Sequence, residues 1–534
     1  MSPASDALDG VTQPLLAQQT ERDYAAISTQ DHPEADEHRP GAFMRNLGTI
    51  EAFGIIISIV IGSGIFTSPG SIDTNVPSPG VALVVWLVGG ILAWTGATTM
   101  AELGTAIPGE GGVQPYLQYI FGDLCGFLAA WTWIIAVMPA TLAILSIVFV
   151  ESIYSAAGVT DQAAALSHKL LSILILVVVS VANSISTKTS TRLNGFFVST
   201  KFVTIAAVVL AGLGVVVAHL VRVDSVNGSP DWFQKSWFGY RNTVTPDGTV
   251  IDWHEVAGWE MLGYYSTALY GALWAYSGWD KAIYISAEMS APARQLPLAI
   301  NSAVPIIILC FIAANAAYYI LLPWDVVSTT DSVAVTAITH LLGPAAGIIA
   351  AFLICLVVAG SLLGNSFVAG RMVVAAANRN WLPQILGVIG QLGQPSSDSN
   401  LTVGSDAPIN AIVLSTILPI FYILFGNFRA LLTFNGLGEY SFFFLTVVGA
   451  ILLRFREPTL ERPYKPWIGI PVVFALVSGF VVTRGAVFAP FQAVILIVVW
   501  ALGAGFYVVR SRWLKGGEGS AAVATGDAEG EDAE

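Results

Sequence analysis

The sequence predicts an all-α polytopic membrane protein in which two of the membrane-spanning helices are interrupted. Of its 534 residues, 55% are hydrophobic and only 11% are charged, and the mean hydropathy is +0.70. Soluble domains carry about 25% charged residues, so most of this chain has no need to face water. Many of its apolar runs reach the roughly 20 residues that cross a hydrocarbon core. Two of these runs contain a break rich in glycine and serine.

Twelve spans are predicted from the apolar windows that lie between prolines, glycines and charges. The runs are continuous and do not alternate with polar residues. Because a backbone in lipid must pair its own polar groups, such runs form helices. The predicted spans are residues 50–72, 81–106, 118–152, 168–187, 194–221, 259–287, 298–322, 343–377, 408–426, 428–453, 467–487 and 489–510.

The distribution of lysine and arginine predicts the orientation of the spans. An even number of spans places both termini on one side. With the termini inside, fifteen of the 23 Lys and Arg residues fall in cytoplasmic segments and six fall outside. Since positive residues accumulate on the cytoplasmic side, both termini are predicted to be cytoplasmic. We expect the plasma membrane, with the vacuolar membrane as the alternative.

The two ends of the chain have a different composition from the spans. Much of the net charge of −13 lies in these polar or acidic ends, residues 1–45 and 512–534. Segments of this kind bury too little apolar surface to fold by themselves, so both are predicted to be disordered tails.

The first span contains Gly62-Ser63-Gly64, and the sixth contains Ser277-Gly278 followed by Asp280 and Lys281. Glycine in a helix interior costs roughly 1 kcal/mol relative to alanine, so each run is weakest at its middle. Glycines in membrane helices also allow close packing. However, paired breaks at corresponding positions of two halves indicate a substrate site at the interface of an inverted repeat. An unwound turn offers donors and acceptors to a zwitterion without adding a full charge.

At these residues the chain resembles the L-type amino-acid transporters of the amino acid–polyamine–organocation superfamily. The resemblance covers about residues 45–510, and the long polar N-terminal tail is similar to that of the fungal branch, which includes methionine permeases. The motifs that carry it are Ile61-Gly62-Ser63-Gly64-Ile65-Phe66, Ala268-Leu269-Tyr270, Trp274-Ala275-Tyr276-Ser277-Gly278-Trp279-Asp280, Glu288, Leu296-Pro297-Leu298-Ala299-Ile300, Gly360-Ser361-Leu362, Arg371, Asn380-Trp381-Leu382-Pro383, Leu453-Arg454-Phe455-Arg456-Glu457-Pro458 and Glu461-Arg462-Pro463-Tyr464-Lys465.

The resemblance implies a LeuT-type fold of five plus five inverted helices with two accessory ones. The membrane domain would be residues 46–511, with repeat one at about 46–222, repeat two at about 259–455 and the accessory helices at about 467–510.

The resemblance also implies roles for single residues. Gly62, Ser63 and Gly64 would hold the substrate carboxylate, and carbonyl groups of Val60, Trp274 and Ser277 would accept from its ammonium group. Trp274 also matches the aromatic gate of the family. Ile61 and Gly278, which lie within the breaks, complete the expected substrate-binding set.

Four ionisable residues fall inside predicted spans: Lys201, Asp280, Lys281 and Glu439. Each is costly in lipid and therefore a functional candidate. Lys201 matches a lysine of related sodium-independent transporters, which lies where sodium binds in the sodium-coupled relatives. Alternatively, the Lys201 side chain extends to the inner membrane interface. Asp280 and Glu439 replace amides that are common in the animal relatives. Since two nearby acids repel, one is expected to carry a proton. They could instead hold a cationic side chain, or Asp280 could pair with Lys281.

Three further acids, Glu102, Glu110 and Glu151, lie at predicted span ends, where we expect solvated positions. Residues 155–167 lack the cysteine that animal L-type transporters use to bond a glycoprotein, so no disulfide-linked heavy chain is expected. The three cysteines, Cys125, Cys310 and Cys355, are expected to be buried and free.

The favoured function is a secondary transporter that moves neutral L-amino acids, methionine or other large ones among them, by alternating access. Proton coupling is one candidate mechanism. An amino-acid sensor, and an exchanger that also accepts cationic amino acids, are the alternatives. The sequence contains no nucleotide-binding loop, metal-ligand cluster or nucleophile–base pair, so no enzyme is expected. The expected partners are a small amino acid, protons and the lipid bilayer, without cofactor, metal or nucleic acid.

Overall fold

The computed structural model of the chain describes residues 48–107, 112–159, 165–185, 187–221, 228–280, 283, 289, 291–388 and 408–528. The predicted N-terminal tail, Glu110 and Lys281 lie outside these residues.

Helices make up most of the described chain. In order they are α1 (Thr49–Val60), α2 (Gly64–Asp73), α3 (Pro79–Ala106), α4 (Val113–Phe121), α5 (Asp123–Thr132), a π-helical turn (Trp133–Val137), α6 (Met138–Ala156), α7 (Leu166–Ile185), α8 (Thr187–Leu220), α9 (Asp231–Gln234), α10 (Gly258–Ala275), α11 (Pro292–Leu321), α12 (Trp324–Val327), α13 (Val333–Leu342), α14 (Pro344–Asn378), a 3₁₀ turn (Gln384–Gly387), α15 (Ile409–Phe425), α16 (Phe428–Arg456), α17 (Gly469–Phe488) and α18 (Pro490–Ala528).

Nine helical segments within the described residues have the length and hydropathy of a membrane span. They belong to α3, the continuous unit of α5 and α6, α7, α8, α11, α14, α16, α17 and α18. The chain is therefore an integral multi-pass membrane protein. α15 is equally apolar but shorter, and α1, α2 and α10 flank the two breaks.

Short polar side chains start two of the long helices. Ser78 Oγ accepts a hydrogen bond from the Val81 N–H at 3.4 Å, and Asn427 Oδ1 accepts from the Ala430 N–H at 2.8 Å. Such caps satisfy N–H groups that the first turn leaves unpaired. Pro79 suits the first turn of α3 because it has no N–H to lose. Both helices start at the end of the bundle that carries Asp73, which we call the Asp73 end.

Aromatic side chains place the second break in the interior of the bundle. The Trp86 ring of α3 lies 5.7 Å from the Phe311 ring of α11, and Phe311 lies 4.8 Å from Tyr276, which directly follows α10. All three side chains are buried. Edge-to-face and tilted ring pairs of this kind stabilise a core beyond the area they bury.

Large aliphatic side chains are exposed on the outer helices. α18 exposes Val494, Ile497 and Leu502. A soluble protein rarely exposes so much contiguous apolar surface, whereas a lipid bilayer solvates it. The exposure agrees with a membrane location.

Residues 228–257, which we call the hairpin segment, cover the Asp73 end. The segment contains a two-stranded antiparallel hairpin, β1 (Thr243–Val244) and β2 (Val250–Ile251). Trp253 packs beneath the hairpin and donates from Nε1 to Thr243 Oγ1 at 2.8 Å. The Gly80 N–H donates to the Trp237 carbonyl at 2.7 Å, which fixes the segment to the start of α3.

Two boundaries differ from the predictions. The predicted third span began at residue 118, but Gly122 adopts a φ of +93° and separates α4 from α5. α18 continues to Ala528, past the end of the last predicted span at residue 510, and disorder of the tail from residue 512 stays a prediction. Residues 512–528 contain four alanines and no proline, but also four glycines, which weaken a helix.

Candidate functional site

The first break separates α1 from α2 at residues 61–63. The helix ends when the Ile61 N–H donates to the Ile57 carbonyl at 2.9 Å, and α2 begins when the Phe66 N–H donates to the Ser63 carbonyl at 2.9 Å. Ile61 and Ser63 are buried, and Gly62 is half-buried. The break therefore places helix-end carbonyl groups next to the N–H groups of a new helix, which is the arrangement that binds small charged groups.

The second break follows α10. The Tyr276 N–H still bonds the Ala272 carbonyl at 3.0 Å, and the Ser277 N–H bonds the Trp274 carbonyl at 3.0 Å. Gly278 then adopts a φ of +107°, which only glycine accommodates without strain. The Trp274 carbonyl, an expected ammonium ligand, thus already accepts one bond, and its second lone pair remains available.

The two breaks meet. An ideal Cβ on Gly64 would lie 2.4 Å from the Cα of Ala275 and 3.0 Å from its Cβ. One turn further towards the Asp73 end, the ideal Cβ of Gly271 would lie 2.9 Å from Ile72. α2 and α10 therefore pack backbone to backbone, and the start of α2 at Gly64 lies against the end of α10 at Ala275.

Ser361 of α14, which the sequence analysis quoted only as part of a motif, lies beside the first break. Its Oγ lies 3.7 Å from the ideal Cβ of Gly62. This Oγ is buried and makes no hydrogen bond to the part of the chain that the structure describes. A buried hydroxyl without a partner is unusual and favours a ligand or water at that point. The signal in the sequence was a serine in the middle of an apolar helix.

The coupling candidates are buried, and two of them lie near one another. The Asp280 and Glu439 side chains are buried, and both act electrostatically on the Tyr440 hydroxyl. The Trp279 ring packs against the Phe443 ring, with centroids 4.7 Å apart and planes tilted by 48°, which holds Trp279 against α16. Lys201 is buried in α8, a helix that packs against α14, the helix of Ser361.

Arg241 of the hairpin segment binds the end of α2. Its Nη2 lies 2.6 Å from Asp73 Oδ2, and it also bonds Asp73 Oδ1 and, through Nη1, the Trp324 carbonyl. Tyr319 Oη of α11 donates to Asp73 Oδ1 at 2.6 Å. Burial alone would lower the pKa of the Arg241 guanidinium, but Asp73, Tyr319 and Asp325 together outweigh burial and raise that pKa. We call this group of Asp73, Arg241 and Tyr319 the Asp73 lock.

A second arginine, Arg429, binds Thr74, the residue that follows Asp73. Arg429 of α16 donates from Nε and Nη2 to Asp331 Oδ1 at 3.0 and 2.8 Å, and from Nη1 to Thr74 Oγ1. Burial raises the pKa of the Asp331 carboxyl; Arg429 opposes that rise, and Glu151 adds to it. The end of α2 is thus held from two sides.

Two acids at predicted span ends are not solvated as expected. Glu102 is 1% exposed. It pairs with Arg454, whose Nε donates to Oε1 at 2.9 Å, and with Arg462 at 3.4 Å. Glu151 is only partly exposed and lies 3.2 Å from His168 Nε2. Buried acidic side chains are normally paired. The sequence does not show the pairing of Glu102 with Arg454, because the two residues are 352 positions apart.

Comparison with known proteins agrees with this architecture. A family model described as amino acid permease matches residues 47–506. The b(0,+)-type amino acid transporter 1 of Rattus norvegicus is 30% identical over 482 residues, covering 89% of this chain and 91% of the relative. The human transporter of that name is 30% identical over 469 residues, covering 88% of each chain. The large neutral amino acids transporter small subunit 2 of Oryctolagus cuniculus is 27% identical over 496 residues, covering 92% and 86%. The resemblance to the L-type transporters is confirmed, and the chain belongs to the amino acid permease family.

Proposed function

We propose that this protein is a secondary transporter that moves neutral L-amino acids across a membrane by alternating access. The meeting of the two helix breaks, with Gly64 against Ala275, is the observation that carries the proposal. It places unwound backbone from two helices at one point inside a bundle of membrane helices. A zwitterion binds there through backbone dipoles, which avoids burying a full protein charge in lipid.

The proposed contacts divide between the two breaks. The substrate carboxylate binds Gly62, Ser63 and Gly64 at the start of α2, where the helix dipole favours an anion. The ammonium group binds carbonyl oxygens of Val60, Trp274 and Ser277. Ile61 and Gly278 shape the breaks, and the half-buried Trp274 side chain closes over the substrate. The hydroxyl of Ser361 adds a polar contact beside Gly62.

We propose the LeuT-type arrangement of twelve spans for the bundle. The nine long segments, together with the α1–α2 pair, α10 and α15, make twelve helical units in the predicted order. With both termini in the cytoplasm, the Asp73 end faces outwards and the Asp73 lock closes the outer side. The transporter would lie in the plasma membrane. Membership of the fungal branch stays a prediction.

We further propose that Lys201 takes the place of a sodium ion. Its buried ammonium group lies on α8, which packs against α14. A fixed cation at this place would make transport independent of sodium.

Uptake of radiolabelled amino acids by intact transport-deficient cells tests the function. Competition by all twenty amino acids at two pH values, with sodium or choline in the medium, gives substrate class and coupling together. We expect saturable uptake of neutral L-amino acids that does not change without sodium. Sodium-dependent uptake would contradict the role of Lys201. Signalling without accumulation would indicate a sensor, and uptake only by isolated vacuoles would place the protein in the vacuolar membrane.

Proton coupling through Asp280 or Glu439 predicts a loss of pH dependence when the carrier is neutralised. Uptake by the wild type should rise as the external pH falls, because protonation of the carrier accompanies the inward step. Asp280→Asn or Glu439→Gln should give uptake that no longer responds to pH. Glu260→Gln, which changes an exposed acid at the start of α10, is the matched control. An unchanged pH profile in both variants would rule out both residues as the carrier.

We propose that the chain works without a disulfide-linked heavy chain. Residues 155–167 contain no cysteine, and the three cysteines present, Cys125, Cys310 and Cys355, lie within helices. The rabbit relative is named as a small subunit. Function without a disulfide-linked heavy chain would therefore distinguish this chain from that protein. The chain should migrate at the same position on gels with and without reductant. A complex of higher mass that dithiothreitol dissolves would contradict the proposal.

A further inference from the structure

A buried polar pair joins α6 to α16. Thr141 Oγ1 lies 3.3 Å from Asn435 Oδ1, and the two residues are 8% and 2% exposed. The Asn435 Oδ1 atom therefore accepts a hydrogen bond from the Thr141 hydroxyl. The Asn435 Nδ2 group donates no hydrogen bond to the described residues. An asparagine amide carries two donors, and buried donors are normally paired. Within the described residues, the two Nδ2 donors of Asn435 have no acceptor.

The pair lies beside the second break. Leu432, Asn435, Glu439 and Phe443 follow one another at helical spacing and form one stripe of α16. Leu432 Cδ2 lies 3.7 Å from the ideal Cβ of Gly271, and the Phe443 ring packs at a tilt against the Trp279 ring. Both ends of the stripe therefore face α10 and its continuation. Asn435 and Glu439, between those ends, face the stretch that contains residues 274–278.

The helix that carries Thr141 is irregular at this level. The π-helical turn Trp133–Val137 precedes α6, and the ideal Cβ of Gly438 would lie 3.3 Å from Val137. The π-helix occurs mostly as single turns inside α-helices, frequently at functional sites. Thr141 lies one helical turn after Val137, so the π-helical turn affects the direction of its side chain.

We propose that Thr141 and Asn435 contact the substrate side chain and select amino acids whose side chains are uncharged and carry an oxygen. This inference rests on the proposed function, since it assumes that the two breaks hold the substrate carboxylate and ammonium groups. The side chain then extends away from those backbone groups towards the facing helices α6 and α16. There it meets the Nδ2 donors of Asn435 and the Thr141 hydroxyl, which are both neutral. Serine, threonine, asparagine and glutamine fit this chemistry.

The physical reason for selection is the cost of an unmade hydrogen bond. An aliphatic substrate would bury the Asn435 amide without a partner, whereas an oxygen-bearing substrate would satisfy it. Sites built to bond a polar group reject analogues that lack it far more strongly than apolar pockets reject an extra methylene. The pair therefore discriminates between substrates of equal size.

Two substrate pairs of matched shape test the proposal: asparagine against leucine, and threonine against valine. The wild type should take up the polar member of each pair with the higher kcat/KM. Asn435→Leu should lower kcat/KM for asparagine by about tenfold or more, with little change for leucine, since one buried hydrogen bond is lost. Thr141→Val, which keeps the side-chain shape, should reduce the preference for threonine over valine in the same direction.

Thr433→Val is the matched control, because its hydroxyl bonds the Arg429 carbonyl at 3.2 Å within α16. It should leave both preferences unchanged, and surface biotinylation should show equal amounts of every variant. Equal losses for both members of a pair would indicate a purely structural role and overturn the proposal. A wild-type preference for leucine and valine, or for lysine and arginine drawn by Glu439, would overturn it as well. If the wild type transports no amino acid at all, the proposed function fails, which is a different result.

Discussion

Replacing Gly64 by alanine should reduce amino acid uptake to background. The added Cβ would lie 2.4 Å from the Cα of Ala275 and 3.2 Å from its backbone nitrogen. Carbon atoms do not approach so closely, and the neighbour is backbone that cannot rotate away. Overpacking in an adaptable core costs about 1–3 kcal/mol, and here the two breaks must separate instead. The substrate groups held by each break would then no longer face one another.

The control for Gly64→Ala is Gly54→Ala in the preceding helix. The ideal Cβ of Gly54 meets no atom within 4 Å, so this variant should transport normally, with a helix that is slightly more stable. Ala275→Gly should fail to rescue Gly64→Ala, because the closest contact is with the Ala275 Cα and persists in glycine. Surface expression within about twofold of wild type, with uptake lost, is the expected combination. Uptake by Gly64→Ala close to the wild-type rate would refute the close contact of the two breaks.

The breaks could be predicted from the sequence because their cause is local. Glycine and serine in an apolar run weaken the helix wherever the run folds, and Gly278 takes the positive φ that only glycine adopts readily. The spans were predictable for the same reason, since length and hydropathy are properties of a segment. The boundary at Gly122 was missed because a single glycine does not reveal the sign of its φ.

The polar contacts could not be predicted, because they join distant parts of the chain. Glu102 meets Arg454 across 352 positions, and Arg241 meets Asp73 across 168. At a span end, composition alone favours a solvated acid. The structure instead buries Glu102 between two arginines, which no local pattern distinguishes. Thr141 and Asn435 were overlooked for a related reason, since each is an unremarkable residue of an apolar helix until the two helices pack.

Breaking the Asp73 lock should open the outer side of the transporter. In the structure Arg241 and Tyr319 hold the carboxylate of Asp73, which has no exposed surface. Removing one partner of a buried ion pair costs roughly 3–5 kcal/mol, because the remaining charge is left unpaired. The Asp73 lock can form only in a conformation in which the end of α2 contacts the hairpin segment. Arg241→Gln or Asp73→Asn should therefore shift the population towards the outward-open conformation.

Labelling from outside measures this shift. Ser68→Cys provides the reporter, because Ser68 Oγ is buried and bonds no group of the described chain, so that a thiol loses nothing there. Cys125, Cys310 and Cys355 are first replaced by serine or alanine. A membrane-impermeant maleimide should then react slowly with the reporter in the locked protein. It should react at least about tenfold faster in Arg241→Gln, since about 1.4 kcal/mol already shifts an equilibrium tenfold.

Two further variants separate a gate from a merely stabilising ion pair. Lys235→Gln removes a charge from the same segment, but its pair with Asp231 is exposed, with the lysine 58% accessible. Such pairs contribute about 0–1 kcal/mol, so labelling should stay slow. The exchanged pair Asp73→Arg with Arg241→Asp should restore slow labelling if attraction between these two positions closes the outer side. If Arg241→Gln reaches the cell surface and labels no faster than the locked protein, the outer barrier lies elsewhere, and the ion pair only supports the fold.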